Sequence, residues 1–299
     1  MTASMPSALR FDSRVVVVTG GGGGMGRSHA TMLAGRGARV VVNDVGGAAE
    51  TVRAITAAGG AAVADTHDIS AEAGARALVE IAVEAFGGID VLINNAGVAS
   101  NCPFPDITWD MFDRTQKVNT YGPFFVTKHA WPHLIGSGSG RVVMVASKAA
   151  LIGAPNLTAY GASKGAVLAL TRQLAAEAAA HGIGVNAVLP SAITEMSRGR
   201  HPLAASMAQL LGVDPADGAR LAERSTAVVS AVVAWLCHQD CAANGEFFDA
   251  VAGQARRVTF AMAAGIHDPQ LTAETMRDHT EAIMDMTGSS ILPTIWEPR

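Results

Sequence analysis

Tyr160 and Lys164 stand four residues apart, a spacing that stacks both side chains on one face of a helix. An ammonium beside a phenol stabilises the phenolate and lowers the phenol's pKa, so a tyrosine so placed can act as a general acid/base near neutral pH. Ser147 precedes Tyr160 by thirteen residues, at the C-terminal end of a strand expected over 141–146. In a parallel sheet that is the edge where ligands bind. A Tyr and a Lys at this spacing are common by chance on any helix. Joined to Ser147 and to a glycine loop earlier in the chain, they read as a catalytic set.

That loop follows Val15, Val16, Val17, Val18 and Thr19, a β-branched run that reads as a buried strand. Gly20, Gly21, Gly22, Gly23, Gly24, Met25 and Gly26 come next, and a helix is expected over 27–36, with Ala30, Leu33 and Ala34 on one face. A strand that ends in glycines at the mouth of a helix is a phosphate cradle. Side chains there would keep a pyrophosphate from the backbone N–H groups and from the positive end of the helix dipole. Thr19-Gly20 with Gly24 and Gly26 has the spacing Thr-Gly, three residues, Gly, one residue, Gly. A flexible linker would not be fused to a valine strand. The loop by itself implies a dinucleotide and no particular reaction.

Asp44 closes the second expected strand, at close to the roughly 20-residue offset from the loop at which an acid meets the adenosine ribose. A carboxylate there accepts hydrogen bonds from a free 2′-OH and repels a 2′-phosphate, so NAD is expected rather than NADP. An acid capping the next helix is the alternative reading.

The elements that must position these residues alternate along the chain. Strands are expected over 38–43, 61–64, 89–93, 141–146, 185–189 and 246–250. Helices are expected over 48–58, 71–86, 109–119, 123–135 and 161–180. Strands alternating with crossover helices give an α/β fold: a single-domain, Rossmann-type, doubly wound parallel sheet of about seven strands with helices on both faces. The chain has 299 residues, 49% hydrophobic and 16% charged, which suits strands buried on both faces. Two stretches break the rhythm. Residues 194–225 carry Pro202, Pro215 and several glycines and resemble an active-site lid. The tail 253–299 is expected to add one helix over 273–286, with Thr272 as N-cap and Met276, Ile283 and Met284 facing a core or a partner.

A net charge of −4 offers no basic footprint for nucleic acid or acidic membranes. The apolar run 231–237 is too short to cross a bilayer. Residues 1–14 lack a long apolar core and 296–299 carry no targeting tag, so a soluble cytoplasmic protein is expected. Cys102, Cys237 and Cys241 suggest no disulfide framework. Cys237, His238 and Cys241, with the two thiols on one helical face, fall short of a four-ligand zinc set, so no metal is expected and buried thiols are the simpler reading.

Over residues 12–252 the chain resembles the short-chain dehydrogenase/reductases. The motifs that carry the resemblance occur in order: Thr19-Gly20 to Gly26, Asp68-Ile69, Asn94-Asn95-Ala96-Gly97, Asn119, Ser147, Tyr160 to Lys164, and Pro190 with Ile193-Thr194. The resemblance implies that Tyr160 is the proton donor and acceptor, while Lys164 holds the nicotinamide ribose and tunes Tyr160. It implies that Ser147 polarises the substrate oxygen and that Asn119 anchors a water in a proton relay. Gly20, Gly24, Met25 and Gly26 would cradle the cofactor and Asp44 its ribose. Asp68 and Ile69 would lie at the adenine, Asn95 and Gly97 along the adenine-side ribose region, and Ile193 and Thr194 at the nicotinamide carboxamide. Taken singly, Asn94 also fits a tie between strands, Asn119 a helix C-cap and Asp68 a loop acid. Ser191 follows Pro190 where the family usually has glycine.

The segments Val40-Val41-Val42-Asn43-Asp44-Val45-Gly46-Gly47 and Ala234-Trp235-Leu236-Cys237-His238, with Asn244-Gly245, are similar to the (3R)-hydroxyacyl-CoA dehydrogenase unit of peroxisomal multifunctional enzymes. The implied activity is NAD-dependent interconversion of a secondary alcohol and a ketone, with 3-hydroxyacyl thioesters as the leading substrates. A steroid or other bulky alcohol is the alternative, and a catalytically inactive dinucleotide-binding regulator the reading from another class. A homodimer or homotetramer is expected, with a small-molecule substrate as the other partner.

Overall fold

A computed structural model describes residues 8–192 and 225–295. Ile193, Thr194 and nearly all of the expected lid lie outside them. The central sheet runs β1 Val15–Thr19, β2 Arg39–Asn43, β3 Ala61–Asp65, β4 Val91–Asn94, β5 Arg141–Val145, β6 Gly184–Ser191, β7 Phe247–Val251 and β8 Gln254–Val258. Its spatial order is β3-β2-β1-β4-β5-β6-β7-β8. The first seven strands are parallel and β8 pairs antiparallel to β7. The order reverses between β1 and β4, the switch point at which such sheets open a crevice for ligands.

Period-2 alternation sends successive strand residues to opposite faces. Val17, Val41, Leu92, Val142 and Met144 pack with α3 (Glu72–Phe86), α5 (Gly122–Gly136) and α6 (Thr158–Ala178). Val16, Val18, Val40, Val42 and Val143 pack with α1 (Gly24–Ala34), α2 (Ala48–Ala57) and the helix Thr226–Cys237, here α7. Both faces are covered, which is why the strands read as continuous valine runs rather than as alternating ones. Ala30, Leu33 and Ala34 form the buried face of α1, as the sequence predicts.

Three expectations change. The sheet has eight strands, not about seven. Ala252 (φ +45°) and Gly253 (φ +76°) make a two-residue turn that returns the chain as β8. Exposed, arginine-bearing β8 lacks the apolar signal of the other strands. The tail is not one helix: it breaks at His279 into α8 Ala273–Asp278 and α9 Thr280–Met284, beside a small ribbon of β9 Ala261–Met262 and β10 Ser290–Ile291. Thr272 does cap α8, accepting from Thr275 N at 3.1 Å. Met276 and Met284, expected to face a core or partner, are exposed in this single chain, and Ile283 is half-buried. Finally, α7 ends at Cys237, so Cys237 and Cys241 do not share a helical face. Both are buried, and burial pushes the Cys237 thiol up, away from reactivity. No helix among the described residues is long and apolar enough to cross a membrane.

Candidate active site

The glycine loop leaves β1 and turns into α1 under tight steric control. Gly20 has φ +63°, and a Cβ on it would lie 2.8 Å from Ala96 Cα. A Cβ on Gly26 would run into the carbonyl oxygen of Gly20 and the amide of Asn95. Asn95 Nδ2 donates to Thr19 O at 3.0 Å and Gly20 O at 3.1 Å. Thr19 Oγ1 accepts from Asn95 N and Ala96 N at 3.0 and 3.1 Å. The loop is thereby stitched to the end of β4. Gly23, the N-cap of α1, has no heavy atom within 4 Å of its Cβ position, and no side chain caps the helix. Among the described residues, the first-turn N–H groups of α1, including those of Gly24, Met25 and Gly26, have no side-chain acceptor. An open, uncapped helix start floored by glycine fits a dinucleotide pyrophosphate.

Asp44 sits at the rim of this cradle. Its Oδ2 accepts from Gly22 N at 3.0 Å, and its Oδ1 from Gly46 N at 2.9 Å and Gly47 N at 3.4 Å. The capping alternative is thus partly realised, since Gly47 is the N-cap of α2, yet the carboxylate remains half-exposed beside the loop. Gly22 and Gly47 cross at backbone distance: a Cβ on Gly47 would lie 2.5 Å from Gly22 O. Arg27 directs Nη2 to Gly22 O at 2.6 Å and Nη1 to Glu50 at 3.0 Å, so this cation is already committed.

At the end of β3, buried Asp65 accepts from Asn43 Nδ2 at 2.6 Å and pairs with His67 at 2.5 Å. Asp68 is exposed, and its Oδ1 accepts from Ser70 N at 2.9 Å. The Ile69 side chain is buried against Gly122, so only its main chain is left to meet a ligand.

The Tyr160 cluster forms where α6 meets the ends of β4 and β5. Tyr160 lies in the first turn of α6, which begins three residues earlier than the 161–180 reading. Lys164 Nζ donates to Val145 O at 2.7 Å and lies 5.9 Å from the Tyr160 ring centroid. Burial lowers the Lys164 pKa to about 8. A Cβ on Gly97 would lie 3.4 Å from Lys164 Nζ and 3.3 Å from Asn119 Oδ1, so these three residues meet.

Asn119 is not a C-cap. It sits inside a π-helical turn, Lys117–Tyr121, between α4 (Trp109–Gln116) and α5, the kind of bulge often found at functional sites. Its Oδ1 accepts from Val98 N at 2.8 Å, and its Nδ2 donates to Val98 O at 2.8 Å and Ser163 Oγ at 2.9 Å. Ser163 Oγ in turn donates to Tyr160 O at 2.7 Å. Ser147 caps a 3-10 turn, Lys148–Ala150, its Oγ accepting from Ala149 N at 3.2 Å. Asn94 ties β4 to its neighbours, donating to Thr127 Oγ1 at 2.9 Å.

Sequence reasoning missed Ser163, whose only signal is its place one turn after Tyr160. It also missed Gly47 and the structural part played by Thr19. Among the described residues no cluster of His, Cys, Asp and Glu could hold a metal.

Residues 14–202 match the family model for short chain dehydrogenases. The chain is 35% identical over 308 aligned positions to peroxisomal multifunctional enzyme type 2 of Mus musculus, covering 98% of this chain and 40% of that protein. The full-length peroxisomal multifunctional enzyme type 2 structure from Drosophila melanogaster superposes with a TM-score of 0.79 at 28% identity, covering 95% of this chain and 48% of that one. A short chain dehydrogenase from Mycobacterium avium superposes with a TM-score of 0.77 at 32% identity, covering 91% and 95%. The chain thus spans less than half the length of these multifunctional enzymes and nearly all of the mycobacterial one. By its matched residues and its fold, the chain belongs to the short chain dehydrogenase family of oxidoreductases.

Proposed function

We propose that the chain is an NAD-dependent oxidoreductase that interconverts a secondary alcohol and a ketone, with Tyr160 as general acid/base. The observation that carries this reading is the place of Lys164: buried, anchored on the end of β5, and held against the Tyr160 ring. A protonated Lys164 favours the phenolate of Tyr160, which takes the proton of the substrate hydroxyl during oxidation and returns it during reduction. Ser147 Oγ accepts from Ala149 N, which leaves its own proton to donate to the substrate oxygen. Asn119, clamped between Val98 and Ser163, anchors the water that carries the proton onward from Lys164. Bound NAD supplies the hydride acceptor.

Asp44 supports NAD over NADP, since a 2′-phosphate would meet a carboxylate while Arg27 is committed to Gly22 and Glu50. Asp68, Ile69, Asn95 and Gly97 belong to the same cofactor groove. Similarity to enzymes named multifunctional and peroxisomal favours 3-hydroxyacyl thioesters as substrates. Exposed Phe104, Trp109, Tyr121 and Phe124 around α4 and α5 favour a homodimer or homotetramer. The test is NADH formation from a 3-hydroxyacyl-CoA and from steroid alcohols, by the wild type and by Tyr160→Phe. Turnover of steroids alone would move the substrate to bulky alcohols. Turnover of neither, with NAD still bound, would favour a cofactor-binding regulator.

A further inference from the structure

Ser147 is followed at once by Lys148, whose ammonium does not face solvent. Lys148 Nζ lies 2.6 Å from Asp249 Oδ1, with the two side chains only 13% and 4% exposed. The contact is an ion pair, and Oδ1 has no hydrogen bond of good geometry. The other carboxylate oxygen accepts from Arg256, Nη2 at 2.6 Å and Nε at 3.2 Å. Asp249 lies in β7, beside Leu189 of β6 on one side and opposite Arg256 of β8 on the other. This one buried carboxylate ties Lys148 and Arg256 to β7, and without it the Lys148 ammonium, whose side chain is 13% exposed, would lose its counter-charge.

The turn Lys148–Ala150 is gripped from its opposite side as well. A Cβ on Gly161 would lie 2.9 Å from Ala149 O, so the turn rests on the α6 backbone next to Tyr160. Ser147 Oγ accepts from Ala149 N, and Ser147 O from Ala150 N at 3.1 Å. The orientation of the serine hydroxyl therefore follows the turn, and the turn is held between α6 and the Lys148–Asp249 pair.

We infer that Lys148 and Asp249 are positioning residues that fix the Ser147 hydroxyl relative to Tyr160. The inference rests on the proposed role of Ser147 in the reaction. Small misplacements of a reacting group can lower a rate by as much as about a hundredfold, so the pair acts on kcat more than on substrate or NAD binding.

Four proteins decide it: Lys148→Met, Lys148→Arg, Ser147→Ala and the double variant Ser147→Ala/Lys148→Met. The expected result is a fall in kcat of about ten- to a hundredfold for Lys148→Met, with NAD affinity kept and most of the rate restored by Lys148→Arg. In the Ser147→Ala background, Lys148→Met should change kcat by less than about twofold, because the group it positions is already gone. An equal fall in both backgrounds, or no fall in either, overturns the inference. Hydrogen exchange at the amides of Ala149 and Ala150 gives a readout independent of turnover. Lys148→Met should speed it by about tenfold or more, and unchanged protection overturns the inference. Normal kcat in Ser147→Ala with faster exchange in Lys148→Met would instead sink the role of Ser147 while leaving the pair as the anchor of the turn.

Discussion

Lys164 Nζ donates to the carbonyl of Val145 at 2.7 Å, placing a buried ammonium at the end of the strand that leads to Ser147. The bond links α6, the helix that carries Tyr160, to β5, the strand that leads to Ser147.

Tyr160→Phe should lower turnover by at least about a hundredfold, the usual contribution of a general acid/base, while NAD affinity stays within a few-fold. The ring keeps its packing and only the transferable proton is lost. Steady-state kcat alongside NAD titration checks it, and near-normal kcat would remove Tyr160 from the chemistry.

Asp44→Ala should weaken NAD and narrow the preference over NADP. A carboxylate facing a 2′-phosphate, with Arg27 committed to Gly22 and Glu50, supplies about two or three tenfold factors of discrimination, each worth about 1.4 kcal/mol. Because Asp44 also accepts from Gly22 N, Asp44→Asn should keep more NAD affinity than Asp44→Ala. Comparing kcat/KM for the two coenzymes decides it, and a wild type that prefers NADP would show that Asp44 does not govern the ribose.

Lys164 also makes a stability prediction. Its pKa is lowered by burial from 10.5 to about 8, so between those values the unfolded chain holds more protons than the folded one. Without cofactor, stability should rise with pH across that window, and the whole penalty is present below pH 8. At pH 7 the penalty is about 3 kcal/mol, against about 1.5–3 kcal/mol for the hydrogen bond from the charged ammonium to Val145 O. Lys164→Met should therefore be no less stable than wild type at pH 7 while losing activity, and its stability relative to wild type should fall towards pH 10. Urea unfolding at several pH values tests this, and a less stable variant at pH 7 refutes it.

Gly23→Ala and Gly26→Ala should separate the two duties of the glycine loop. A Cβ on Gly23 meets nothing within 4 Å, so the free protein should keep its Tm while NAD affinity falls. A Cβ on Gly26 collides with the Gly20 carbonyl, so both Tm and NAD binding should fall. Calorimetry with NAD titration reads both, and undiminished NAD affinity in Gly23→Ala would place the phosphates elsewhere.

Light scattering at micromolar concentration should give a multiple of the 30.7 kDa chain mass. Trp109→Glu with Phe124→Glu, both exposed in the single chain, should shift it towards the monomer. A wild type that stays monomeric contradicts the proposed assembly.

What the sequence alone determined is local or periodic. Valine runs announce strands buried on both faces, because such strands have no polar side. The glycine loop is legible because its glycines follow one another between the end of a strand and the start of a helix, a pattern contained within a few residues. Tyr160 and Lys164 are legible because a helix turns spacing into adjacency. The tertiary structure decided what depends on elements distant in the chain. Asn119 becomes a buried clamp only because a π turn aims it at Val98 and Ser163. β8 pairs with β7 where Arg256 and Arg257 meet Asp249 and Glu246 across the hairpin, a charge pairing that leaves no hydrophobic pattern to read. Asp249 meets Lys148 only because β7 lies beside β6 and β6 beside β5. Periodicity states which face of an element is buried, whereas the partner across that face is selected by the packing of the whole sheet.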